Sequence, residues 1–222
     1  VIKRIVILLV VLAVAAPAGA WLYFNVISDD APDKLALTDA TGTTASGPAA
    51  TGELGGTWKP TAGSQVGYRV NEVLFGQRKA AVGRTDKVTG TMRIDGTTVT
   101  AAEVTVDMAS VASDEDRRDN QFNGRIMNTS QFPTAVFKLT SPITLPSTTG
   151  PVTVKATGNL TLRGTTKPVA VDLKAQRQGA TIAVNGSIPI VWDEWNIPNP
   201  SFGPASTEDH GELELLVVFA KS

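Results

Sequence analysis

The sequence predicts an all-β domain, a single antiparallel β-barrel of about eight strands with one short helix, preceded by an N-terminal transmembrane helix. Three observations predict it. Beyond Thr57 apolar and polar residues alternate in about eight runs, turn-forming residues separate the runs, and residues 5–24 carry no charge. Strands with one polar face imply antiparallel pairing around a shared interior. Closing such a sheet into a barrel removes the exposed edges that invite aggregation. With 222 residues, 42% hydrophobic and 18% charged, the chain can bury one ordinary core.

Residues 1–27 read as a signal anchor. Twenty uncharged residues follow Lys3 and Arg4, and at about 1.5 Å per residue such a helix spans the hydrocarbon of a bilayer. Trp21, Tyr23 and Phe24 suit the far interface, and the basic end belongs in the cytoplasm. Ala18-Gly19-Ala20 also fits a cleavage site, so a secreted form released by signal cleavage is the alternative. Apolar residues continue past that site, which favours an uncleaved single-pass anchor. Either way the rest lies outside the cytoplasm. Residues 28–56, with five carboxylates against Lys34 and few large apolar groups, read as a flexible linker.

The barrel is expected over residues 57–222. Val66, Tyr68 and Val70 alternate with Gln65, Gly67 and Arg69, and Val88, Met92 and Ile94 oppose Thr89, Thr91 and Arg93. Val104, Val106 and Met108 follow, then Ala135, Phe137 and Leu139, then Val152, Val154, Leu160 and Leu162. Val169, Val171 and Leu173 precede Ile182, Val184, Ile188, Ile190 and Trp192, and Leu213, Leu215, Val217 and Phe219 close the series. Asp95-Gly96, Thr149-Gly150-Pro151, Arg163-Gly164 and Gln178-Gly179 supply the reversals. Pro189 lacks a ladder donor and predicts a bulge or an edge in its strand. A helix is expected between Ser113 and about Thr129, with Ser113 and Asp116 as a shortened capping box.

Composition excludes several chemistries. A formal charge of −1 gives no field for gripping nucleic acid, and no nucleic-acid partner is expected. With no cysteine and one histidine, His210, thiolate chemistry and multi-histidine metal centres are excluded; no metal and no cofactor is expected. Asp193 and Glu194 point oppositely on an extended strand and make a poor acid/base pair. Ser206, Asp209 and His210 hold the letters of a triad but no nucleophile elbow, so no enzyme activity is expected.

A barrel of this size either fills with side chains or holds one small ligand. Candidate apolar lining comes from the inward positions Tyr68, Val70, Met92, Val106, Met108 and Phe137, with Leu160, Leu162 and Ile190 farther along. Phe122 on the helix and Phe75 in the Val73–Gly76 turn join them. Trp192, Trp195 and Phe202, in a turn-rich stretch after a buried strand, read either as a lid or as a packed turn. Arg117, Arg118 and Asp119 offer a guanidinium fork for a phosphate or carboxylate headgroup, or a solvated helix face.

From Thr57 to Lys221 the chain resembles the YceI-like family of secreted lipid-binding proteins. The resemblance rests on Gly56-Thr57-Trp58 before Gly63-Ser64-Gln65-Val66-Gly67-Tyr68-Arg69-Val70, on the strand Val104 to Val111, and on Arg117-Arg118-Asp119-Asn120-Gln121-Phe122 before Phe132-Pro133. The hairpin Gly158-Asn159-Leu160-Thr161-Leu162-Arg163-Gly164 followed by Thr165 and Val169 is its most specific part. It implies a lipocalin-like barrel around a long amphiphile, a polyisoprenoid or a fatty acid or amide, with no enzymatic activity. Histidines that many members carry are replaced here by Asn71-Glu72 and Gln121, which removes any headgroup contact they make. The expected partners are therefore a long-chain lipid and, through the N-terminal helix, the cell membrane. A ligand-free structural or interaction module of the envelope is the competing reading. The oligomeric state is not legible.

Overall fold

A computed structural model describes residues 31–40, 53–74, 76–146, 150–201 and 205–222. Twelve strand segments form one antiparallel sheet: β1 (Gly56–Pro60), β2 (Gln65–Leu74), β3 (Gln77–Thr85), β4 (Val88–Asp95), β5 (Thr98–Asp107), β6 (Thr134–Leu139), β7 (Ile143–Thr144), β8 (Val152–Leu162), β9 (Thr165–Gln178), β10 (Thr181–Val191), β11 (Ala205–Thr207) and β12 (His210–Lys221). β1 and β2 lie along the same edge of β12, since Pro60 pairs with Phe219 and Gln65 with Leu216. They act as one long strand with a turn in its middle, and β3 with β4, which pair with β2 and β1, act as a second. The ring is then β1/β2, β3/β4, β5, β6, β8, β9, β10, β12 and back to β1/β2, eight positions in chain order. Successive positions of the ring are neighbours in sequence, β12 closes onto β1/β2, and the short β7 and β11 pair with β5 and β2, so the eight-stranded closed barrel expected from the alternation is what forms.

Turn chemistry places the hairpins. Arg163 (φ 47°) and Gly164 (φ 74°) are both left-handed, as a two-residue turn between β8 and β9 requires, and Gly179 (φ 56°) opens the turn between β9 and β10. The expected irregularity at Pro189 takes the form of a lost ladder: β10 pairs with β9 only from Thr181 to Asn185, while its pairing with β12 runs unbroken past Pro189 to Val191.

The helix begins later than expected. α1 (Asp116–Gln121) has Glu115 at its N-cap and continues as one π turn, Phe122–Ile126. Ser113 bonds to Asp119 rather than forming a box with Asp116; its Oγ donates to Asp119 Oδ1 at 2.6 Å and its N–H at 2.9 Å. Starting the helix at Asp116 puts that residue in the first turn, too late to reach back as the N3 partner of Ser113.

Large rings close both ends of the barrel. At one end Trp58, 1% exposed, packs with Ile94, Val99, Ile182 and Phe219, and its indole N–H donates to Leu54 O at 2.9 Å. At the other, Phe122, Met127, Trp192, Trp195 and Ile197 are all buried.

Asp33 to Ala40, which composition assigns to the flexible linker, lie on the outside of the barrel. Leu35 is buried, its carbonyl accepts from Asn185 Nδ2 on β10 at 2.8 Å, and Lys34 pairs with Glu212 on β12 at 2.7 Å. Asp33 O accepts from Arg84 on β3. Under this strap Glu214 (side chain 3% exposed) is held by Arg69 Nε at 2.5 Å and Arg84 at 3.1 Å. Residues 41–52 of the linker and the anchor at 1–27 lie outside the described residues. Among those described, no helix is long and apolar enough to cross a membrane.

Candidate functional site

Inward positions follow from the register. Leu215 opposes Val66 on one side and Gly186 on the other, and Leu213 opposes Tyr68 and Ile188. Fully buried inward positions, among them Val66, Ala156, Val171 and Val217, are interspersed with half-buried ones. Leu213, Leu215, Val184, Leu173, Val169, Ala102, Val104, Phe137 and Leu139 are only half-buried, although each packs against the core. On the opposite face of β12, Leu216 is 1% exposed, and Val218 is buried too. A wall residue more accessible on its inner than on its outer face marks an incompletely filled interior. The glycines on the same inner face are covered by neighbouring side chains, Gly158 by Phe137 and Gly186 by Leu173.

The predicted lining separates into two groups. Val70, Met92, Val106, Met108, Phe122, Leu160, Leu162, Ile190, Trp192 and Trp195 belong to the buried core. Tyr68 and Phe137 are half-buried beside it. Phe75 and Phe202 lie outside the described residues. The tryptophan stretch is a packed turn: Trp192 and Trp195 point inward from one 3-10 turn, and the Trp192 indole N–H donates to Glu208 O at 2.7 Å. Its ring covers Gly211, where a Cβ would meet the indole at 2.5 Å.

Polar groups gather where α1 crosses β2. Tyr68 stacks on Phe122 with ring centroids 5.1 Å apart, and its ring lies over Gly83, where a Cβ would stand 2.4 Å from it. Arg118 pairs with Glu72 on β2 at 3.5 Å and with Asp114. Asp119 is taken up by Ser113. Arg118 and Asp119 thus hold the helix to the barrel, while Arg117 is exposed on the helix surface. The sequence reading did not find Glu72, Asp114 and Ser113 in this role; Glu72, an acid within an alternating strand, is the only signal they left.

Burial pushes the Tyr68 phenol up to about 12, with the carboxylates of Asp119 and Asp114 adding to the shift and Arg118 opposing it. A tyrosine raised in the folded state contributes stability below its ordinary value of 10.0 that is lost as pH rises through about 12. Denaturant unfolding across that window is expected to show a fall in stability that Tyr68→Phe abolishes. An identical fall in the variant would assign the effect elsewhere.

At the mouth of β12, His210 Nδ1 lies 2.8 Å from Asp209 and Nε2 3.6 Å from Glu208. The Asp209 bond raises the imidazole above its ordinary value. Both ring nitrogens lie near carboxylates, which favour the protonated form of the imidazole. Among the described residues no group of three His, Cys, Asp or Glu is placed to hold a metal ion.

Comparison with known proteins places this barrel. Among solved structures, a polyisoprenoid binding domain from Saccharophagus degradans implicated in plant cell wall breakdown superposes with a TM-score of 0.60 at 14% identity, over 75% of this chain and 98% of that one. BcnA of Burkholderia cenocepacia superposes with a TM-score of 0.53 at 21% identity, over 68% of this chain and 95% of that one. At such identities the likeness concerns the fold. A search of curated proteins finds no match. The YceI-like domain, however, matches the sequence itself over residues 59–219, from within β1 to within β12, and the chain therefore belongs to the YceI-like domain family.

Proposed function

We propose that this protein sequesters one long-chain amphiphile, of the polyisoprenoid or fatty acid or amide type, inside the barrel, and does so outside the cytoplasm while anchored by its N-terminal helix. The observation that carries the reading is the half-covered inner wall at Leu213, Leu215, Val184 and Val104 between two plugged ends. An apolar chain laid along that wall removes its surface from water at about 25 cal/mol per Å², before ordering costs. The name of the Saccharophagus degradans neighbour, a polyisoprenoid binding domain, supports the ligand class. For the anchor, the support is the uncharged run at residues 5–24 behind Lys3 and Arg4.

Hydrophobic burial is the source of affinity in this reading. Arg118 and Asp119 are engaged with Glu72, Asp114 and Ser113, so their part in headgroup selectivity is limited. Native mass spectrometry of the full chain purified from its host is expected to show one bound lipid per barrel. A lipid-free mass that persists after incubation with isoprenoid and fatty acid vesicles would instead assign the protein to the ligand-free modules of the envelope.

A further inference from the structure

We infer that the barrel has a lateral gate between β9 and β10, through which an apolar chain is loaded; this rests on the lipid-binding reading and adds the route. The turn Gly179-Ala180 closes the pair Gln178 and Thr181. In a two-residue hairpin the closing pair exchanges both backbone bonds, and so does every second row beyond it. Continued along the register, those rows become Asp172 with Ser187, Ala170 with Pro189, and Pro168 with Val191. The last two rows each contain a proline, which has no N–H to give. The ladder does end at Asn185 and Lys174, although β9 runs on to Thr165 in one direction and β10 to Val191 in the other.

The prolines cost the sheet nothing elsewhere. Pairing of β8 with β9 is continuous through Pro168, and pairing of β10 with β12 is continuous through Pro189. Both missing donors therefore face the same seam. Below it the ladder from Thr181 to Asn185 holds the strands together. Above it the bridges are side chains: Lys167 to Glu194 at 3.2 Å, Asn196 Nδ2 to Thr165 Oγ1 at 3.1 Å, and Arg163 of the β8–β9 turn, which donates to Asn196 O. An ion pair this exposed is a weak clasp.

The two sides of the seam suit a chain passing through it. Outside, Pro168, Ala170, Pro189 and Val191 are all exposed, and Val191, at 38%, is the exposed large hydrophobic residue among those described. Inside stand the half-buried Val169 and Leu173 among the buried Val171, Ile188 and Ile190. Gly186 sits where the ladder ends, with Leu173 lying over it so that a Cβ there would meet the leucine at 2.7 Å.

The test replaces both prolines, Pro168→Val with Pro189→Val, so that the seam can ladder, and separately removes the clasp with Lys167→Ala. The full chain is mixed in stopped flow with pyrene-labelled hexadecanoic acid, and uptake and release are followed. The expected result is exchange slowed by about tenfold in the double variant, the effect of one or two restored backbone bonds on an opening equilibrium. Lys167→Ala should accelerate it, and capacity at equilibrium should be unchanged in both. Wild-type rates in both variants with capacity intact overturn the gate alone. Absence of uptake by the wild-type chain overturns the lipid reading beneath it. Amide hydrogen exchange then still reads the seam: Ala170 and Val191 must exchange far faster than Ala183, and equal protection refutes the open ladder.

Discussion

Leu215→Trp combined with Val104→Trp is expected to abolish lipid retention while the barrel stays folded. Both residues are inward and half-buried, on β12 and β5. Each indole displaces roughly two to three methylenes of guest, at about 0.8 kcal/mol per methylene, so the pair removes about 4 kcal/mol, or about a thousandfold in affinity. A filled interior would respond in the opposite way: two added indoles would overpack it, at about 1–3 kcal/mol of stability each, with no change in lipid content. Native mass spectrometry and thermal melting of the same samples separate these outcomes. Retained lipid at wild-type stoichiometry with an undisturbed melt would remove the central cavity from the explanation.

Glu214→Ala should be among the most destabilising single changes on the outer wall. Glu214 is the carboxylate shared by Arg69 and Arg84 under the strap, and its removal takes the common counter-charge from two guanidinium groups that are only 12% and 19% exposed. Breaking a buried ion cluster in this way costs about 3–5 kcal/mol, against a total stability of about 5–15 kcal/mol. Urea unfolding is the direct measure. Replacing all three by apolar residues of similar volume, Glu214→Leu with Arg69→Met and Arg84→Met, should recover most of the loss. A single variant unfolding at the wild-type midpoint would mean that water reaches the cluster and the strap does not seal it.

Much of the architecture was legible because period-two alternation reports directly which face of a strand is buried. Val66, Val70, Met92, Ile94, Leu160 and Phe219 could be assigned inward positions from spacing alone, and all lie in the core. That β10 would lose a ladder on one side was legible from Pro189, since the missing donor is a property of one residue, but the pairing ends earlier, at Asn185. Asp119 was not recognised as the partner of Ser113, six residues away, because that contact depends on where the helix starts. The strap was hidden more deeply. Leu35 sits with Leu37 in an otherwise acidic, turn-rich stretch, and it docks beside Asn185, 150 positions along the chain. Arg69, Arg84 and Glu214 occupy outward positions in their strands, where a charge ordinarily means solvent. Whether the middle of the barrel is filled depends on summed volumes from eight strands, and no local pattern reports such a sum.

The strap also bears on how the protein is handled. A recombinant fragment started at Thr57, where the alternation begins, would lack Leu35 and leave the outer wall bare around Ala183, Asn185 and Leu216. Such a patch would cling to other copies in the test tube, and the resulting aggregates would be mistaken for a natural oligomer or an unstable fold. Starting at Asp33 keeps the cover in place.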